Sequence, residues 1–117
     1  MVEFNATLLE AFFKDLRESI SDWTSFAERA ALGDPEIPES IASFPEWQVL
    51  RGSLNTEELR MAFTEIVRYL LEGITFSILV TIDGGSAMSN VERVFLVDNQ
   101  GKELAPALHE EFDPSDS

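Results

Sequence analysis

Few residues of this chain have side chains that could carry catalysis or bind a metal. His109 is the single histidine, and two carboxylates, Glu110 and Glu111, follow it. A histidine that acts as a general base needs a nucleophile or a substrate cleft beside it, and the sequence indicates neither. Because the chain has no cysteine, a metal site would have to use carboxylates and a hard ion. We therefore predict no catalytic residue, no metal site and no cofactor.

A second group of titratable residues lies within the first predicted helix. Asp15, Glu18 and Asp22 are spaced by three and four positions, so they share one helix face. Paired carboxylates can exchange protons with a substrate, but only where buried surroundings shift their pKa values. A charged helix face is usually solvated. We interpret these three residues as a solvent-exposed surface.

The glycine-containing segment Asp83, Gly84, Gly85 and Ser86 is the one stretch that suggests a ligand loop. Two glycines beside an acid leave backbone amides accessible, and such amides can bind an anion. However, the glycine-rich motifs that hold phosphate lead directly into a helix, whereas strand-like residues follow here. A hairpin turn is the favoured interpretation, and a small-ligand or anion loop is the alternative.

Aromatic and acidic residues near the middle of the chain could recognise a protein partner. Trp23 and Trp47 both fall on apolar helix faces, so core packing is the favoured account of each. Trp47 also follows an acidic segment that contains prolines, which makes it our first choice for an exposed anchor. The candidate partner-binding residues, all near this segment, are Glu36, Glu39, Glu46 and Trp47.

The formal net charge of −14 restricts the partners that the chain can bind. Nucleic acids and anionic membranes are recognised through clusters of Lys and Arg, which this sequence lacks. The charge is a solubility device or a salt adaptation, or it serves to attract a basic protein. No apolar run approaches the roughly 20 residues that span a bilayer. We predict a soluble, cytoplasmic protein with neither a nucleic acid nor a membrane as its partner.

Apolar spacing predicts three helices in the first part of the chain. Apolar residues recur every three or four positions from Phe4 to Ala30, with Thr7 and Asn5 as competing N-caps and a stop at Gly33. Residues 36–42 should form a loop without regular structure. A short helix should begin in the capping-box pattern at residues 43–46 and end at residues 51–52. A third should begin at Asn55 and end at Gly73.

Strict alternation predicts three strands after these helices. Within residues 74–82, every second side chain is a large apolar one, which favours a strand with one face on a core. Residues 91–98 should form the second strand and residues 102–104 a short third one. A turn over residues 98–101 should close on Gly101 in the left-handed conformation. The result would be a three-stranded antiparallel meander.

These elements predict an α+β fold in which one long, one short and one medium helix pack on the meander. The whole chain, residues 1–117, should be one compact domain whose acidic tail, residues 113–117, frays. The edges of so small a sheet, together with nine phenylalanines, suggest a possible homodimer.

The expected function is that of a non-catalytic acidic protein-interaction module, by analogy of charge and size with an immunity protein or an adaptor. A small-ligand or anion-binding module is the alternative, and an enzyme of unknown class is a further one.

Overall fold

A computed structural model describes residues 3–84 and 94–115 of the chain. These residues form five helices: α1 (Ala6–Leu32), α2 (Glu39–Ala42), α3 (Pro45–Ser53), α4 (Glu57–Ile82) and α5 (Leu108–Glu111). The described residues group into two compact units. Unit 1 contains residues 3–18, 72–84 and 94–115, and unit 2 is Ser19–Leu71.

The predicted α+β fold with its three-stranded meander is wrong for the described residues, which contain helices and no strand. Residues 74–82, predicted as the first strand, are the last part of α4. The alternating pattern placed Leu79 on the outer side, yet Leu79 is the buried residue of α4, with 1% of its surface exposed. Ile74, Phe76 and Ile78, predicted to face a core, are each about half exposed.

The physical reason is that six of the nine residues 74–82 are apolar, three of them consecutive at Ile78, Leu79 and Val80, so the segment satisfies a helical period as well as an alternating one. In the helix, Thr75, Leu79 and Ile82 share one face and are buried or half-buried. The Thr81 hydroxyl donates to the carbonyl oxygen of Ser77 at 3.0 Å, a bond available only to a helix. Once the preceding turns of a helix have formed, each further residue adds one backbone hydrogen bond for the conformational entropy of that single residue.

Gly73, predicted to end the third helix, lies inside α4, where a glycine costs only about 1 kcal/mol relative to alanine. The left-handed residue that follows the helix is Gly84, with φ of 82°.

The turn predicted at residues 98–101 is confirmed, although the strands around it are not. Gly101 has φ of 82°, and its amide donates to the carbonyl oxygen of Asp98 at 3.0 Å. Pairing around the turn is limited in the described residues to a single antiparallel bridge between Val97 and Glu103. Residues 91–93 of the predicted second strand lie outside the described ranges.

The first helix begins at the Asn5 cap, the competing alternative to Thr7. The side-chain oxygen of Asn5 accepts a hydrogen bond from the Leu8 amide at 3.0 Å. The amide of Asn5 donates to the Glu103 carbonyl oxygen at 2.8 Å, and its side chain donates to Asp98 at 2.9 Å. This last bond, with those from the Lys102 and Gln100 amides, lowers the pKa of Asp98. One residue thus caps α1 and ties it to the turn.

The other predicted helix limits are shifted by a few residues. The predicted loop 36–42 contains the single-turn helix α2, which follows Pro38. α3 follows Phe44 without a side-chain cap and continues past Gly52. The hydroxyl of Thr56, rather than the predicted Asn55, accepts the Leu59 amide at 3.1 Å at the start of α4.

Each unit buries its own apolar side chains. In unit 1, Phe13 and Phe112 meet edge to face with ring centroids 5.1 Å apart. The other buried apolar residues of unit 1 are Leu79, Leu104 and Leu108. Those of unit 2 are Ile20, Ala27, Ala30, Ala31 and Ile37. Among the helices described, none has the length and apolarity needed to cross a membrane.

Replacing Gly33 by alanine should destabilise the fold by about 1–2 kcal/mol, because Gly33 has φ of 79° and an added Cβ would lie 2.9 Å from the Nε of Arg51. Arg51 holds the end of α1 through a 3.1 Å bond to the Ala30 carbonyl oxygen. Urea unfolding measures the effect. The matched control is Gly52→Ala, which meets no atom within 4 Å and should be neutral or slightly stabilising.

Candidate partner-binding groove

An aromatic groove on unit 2 is the candidate functional site. It has a volume of about 560 Å³. Its lining residues are predominantly apolar: Trp23, Phe26, Ile41, Phe44 and Trp47, with Asp22 and Arg29 beside them. We call this site the aromatic groove. A concave surface with aromatic walls and few polar groups is the usual form of a binding site.

Three helices supply the walls of the aromatic groove. Trp23 and Phe26 lie three residues apart on α1 and contact each other edge to face, with centroids 5.6 Å apart. Ile41 comes from α2. Phe44 precedes α3, and the Trp47 amide donates to the Phe44 carbonyl oxygen at 3.1 Å. The start of α3 at Pro45 therefore brings two aromatic side chains to the same groove, Phe44 from the residue before the helix and Trp47 from its first turn.

Much of this aromatic surface is open to solvent. Trp23 is 61% exposed and Phe44 is 54% exposed, while Phe26, Ile41 and Trp47 are half-buried. Core packing was the favoured prediction for both tryptophans, and it is wrong for Trp23. Large exposed aromatic side chains seldom cluster on the surface of a monomer, which makes this groove the candidate site.

The predicted acidic partner residues lie beside this groove in sequence but do not line it. Glu36, Glu39 and Glu46 are all exposed, and Glu46 directly precedes Trp47. Asp22 does line the groove. The cation that lines it, Arg29, lies 3.9 Å from the carboxylate of Asp34. The charge available around the aromatic walls is therefore mainly negative.

Of the four predicted partner-binding residues, only Trp47 lines the aromatic groove. Trp23, Phe26, Ile41 and Phe44 were not predicted as site residues. The sequence signal that could have found them is the excess of aromatic residues on the α1 stripe, which Phe26 widens beyond one helix contact.

The predicted ligand loop begins with Asp83, whose carboxylate accepts hydrogen bonds from the backbone of α5. The Asp83 side chain is 5% exposed and accepts hydrogen bonds from the amides of Leu108 and His109, at 2.9 and 2.8 Å. It also contacts the His109 ring at Nδ1, 2.5 Å away. Gly84 follows in the left-handed conformation, and Gly85 and Ser86 lie outside the described residues.

Burial raises the pKa of Asp83, but hydrogen bonds from the backbone and ring of His109 and from the Leu108 amide outweigh it and lower the pKa below the ordinary 3.8. Asp83 therefore acts as an ionised cap for the start of α5.

The Asp83 and His109 pair resembles part of a catalytic arrangement, in which a carboxylate orients a histidine base. The His109 ring also contacts Phe76 edge to face, with centroids 5.7 Å apart. One cavity described in unit 1 is lined by other residues, including Phe13, Lys14 and Arg17. In the described ranges, no three His, Asp or Glu side chains are grouped so that they could hold a metal ion. What the geometry does show is that the carboxylate of this pair accepts the two amides at the start of α5.

Comparison with known proteins gives no match, whether with protein-family models, with curated proteins or with solved structures.

Proposed function

We propose that the chain is a non-catalytic binding protein that holds a cationic protein segment in the aromatic groove. The observation that carries the proposal is the open cluster of Trp23, Phe44 and Trp47 on one concave surface of unit 2. Aromatic side chains of this kind supply most of the binding energy at protein interfaces, because they bury a large area with few rotatable bonds.

The charge of unit 2 supports a basic partner. Ser19–Leu71 contains nine acidic residues and four arginines, a balance of −5. Three of these arginines are already engaged. Arg29 lies near Asp34, Arg51 donates to carbonyl oxygens at the ends of α1 and α2, and Arg60 donates to the Leu54 carbonyl oxygen. A segment with a bulky apolar anchor between lysines or arginines would bury the anchor against the aromatic walls and bring its charges near Asp22, Glu39 and Glu46.

The groove offers its own optical reporter, because Trp23 and Trp47 are the two tryptophans of the chain. We propose titration with a synthetic peptide that carries a central Phe-Leu anchor flanked by lysines. Its counterpart has glutamates in place of the lysines. We expect the lysine peptide to change the tryptophan emission in a saturable way, more weakly as salt rises. The glutamate peptide should leave the emission unchanged.

Replacing Trp47 by alanine should weaken binding of the lysine peptide at least tenfold, since Trp47 forms a half-buried wall of the groove. Calorimetric titration measures this, with circular dichroism to confirm the helix content. Val49→Ala is the matched control, because Val49 is 69% exposed on the same helix and does not line the groove. Equal affinity for both peptides, or an unchanged affinity in Trp47→Ala, would contradict the proposal.

A further inference from the structure

A second exposed apolar surface lies on α4, within unit 2. Leu59, Ile66, Tyr69 and Leu70 are 45%, 59%, 74% and 61% exposed. At 3.6 residues per turn these four, with the exposed Ala62, fall within an arc of about 100°. We call these five residues the α4 outer face. Phe63 and Val67, on the adjoining side of the helix, are half-buried.

The α4 outer face has the size and pattern of one half of a helix pair. Its four large side chains expose on the order of 400 Å² of apolar surface, as much as the largest patch of a typical monomer. Leu59, Ala62, Ile66 and Tyr69 follow the spacing of three and four that forms the seam of a two-helix contact. No charged residue of α4 falls within this arc.

The edge of this face determines which helix fits it. Glu58 and Glu65 are exposed, lie two turns apart and directly border the apolar arc on the side of Tyr69. These are the flanking positions whose charges select the partner in helix pairs. The corresponding positions on the other edge are apolar, namely Phe63 and Leu70.

A second copy of the chain would not satisfy these glutamates. In an antiparallel pair, like edges meet, so the glutamates of one copy would face those of the other. In a parallel pair, each glutamate would face Phe63 or Leu70 of the other copy, and neither offers a positive charge.

We infer that the α4 outer face binds an amphipathic helix of another protein, with an apolar seam and with lysines or arginines opposite Glu58 and Glu65. The inference is independent of the aromatic groove, because it rests on a different face and different side chains.

The test uses a labelled helical peptide of about 21 residues with leucine at the seam positions and lysine at the flanking positions. Its counterpart carries glutamate at the flanking positions. Fluorescence anisotropy with the full chain should show saturable binding of the lysine peptide and none of the glutamate peptide. Ile66→Ser should weaken binding of the lysine peptide at least tenfold. Glu65→Lys should weaken it at least fivefold and allow the glutamate peptide to bind.

Two control variants test whether the peptide binds at the α4 outer face. Glu57→Lys reverses a charge on the opposite side of α4 and should leave the affinity unchanged. Trp47→Ala should also leave it unchanged. Loss of peptide binding in Trp47→Ala but not in Glu65→Lys would place the peptide in the aromatic groove and overturn the inference. A wild-type dimer in sedimentation velocity that Ile66→Ser dissociates would also overturn it, in favour of a second copy.

Discussion

Asp83→Ala should destabilise the chain by about 2–3 kcal/mol, because the change leaves two amide donors, those of Leu108 and His109, without their acceptor. The carboxylate also contacts the ring of His109, so the start of α5 loses its attachment to the end of α4. Urea unfolding gives the stability difference. Hydrogen exchange at the two amides should accelerate in the variant, which locates the change.

The same carboxylate should give the stability a defined dependence on pH. Because folding lowers the pKa of Asp83 below 3.8, its contribution is present above that value and is lost as the pH falls through the folded-state pKa. The stability difference between the wild type and Asp83→Asn should therefore shrink as the pH falls below about 3.8.

Glu110→Gln is the control for Asp83, because Glu110 lies exposed on the same short helix and the change removes one negative charge. It should alter stability by less than about 0.5 kcal/mol. If Asp83→Ala has as small an effect as this control, the cap at α5 does not stabilise the protein as described.

Leu79→Ala should destabilise the chain by about 3 kcal/mol, within the range of 2–5 kcal/mol for a leucine lost from a core. Leu79 is 1% exposed, so the truncation removes buried apolar contacts and leaves a cavity. Thermal and urea unfolding together measure the loss.

Ile78→Ala is the matched control, since Ile78 is the preceding residue of α4 and is 53% exposed. It should cost less than about 1 kcal/mol. Comparison of Ile78→Ala with Leu79→Ala also tests directly whether residues 74–82 are helical. A strand over residues 74–82 would bury Ile78 and expose Leu79, so a larger loss for Ile78→Ala than for Leu79→Ala would contradict the helix.

The aromatic groove and the α4 outer face are both proposed to bind basic partners, but they differ in what they recognise. The aromatic groove is concave and suits an apolar anchor inserted among aromatic walls. The α4 outer face is a convex helix stripe that suits a second helix. Variants of Trp47 and Glu65 separate the two, because Trp47 lines the aromatic groove and Glu65 borders the α4 outer face.

The described residues remove one of the two reasons for expecting a homodimer, since they contain no sheet whose edges could pair; the nine phenylalanines are the other reason. The homodimer stays a prediction, and the sedimentation experiment on Ile66→Ser tests one form of it. The predicted single domain is likewise a prediction to be tested by the cooperativity of unfolding.

Local signals in the sequence were enough to predict the first helix, its end and one turn. The stripe from Phe4 to Ala30 predicted α1, and Gly33 predicted its end, because a helix stop needs a left-handed residue at one known position. The turn at Gly101 followed from the same preference. The negative charge and the position of Trp47 depend on composition and local order alone, so the interaction hypothesis could be stated without a structure.

Only the tertiary structure decided the state of residues 74–82 and the members of the aromatic groove. A segment with six apolar residues out of nine fits both a strand and a helix, and the choice depends on which side chain is buried in a core, here Leu79. The aromatic groove joins Trp23, Ile41 and Trp47 from three helices, and no spacing within the sequence encodes that meeting. Burial is a property of distant contacts, which is why Trp23 could be placed on an apolar face and still be open to solvent.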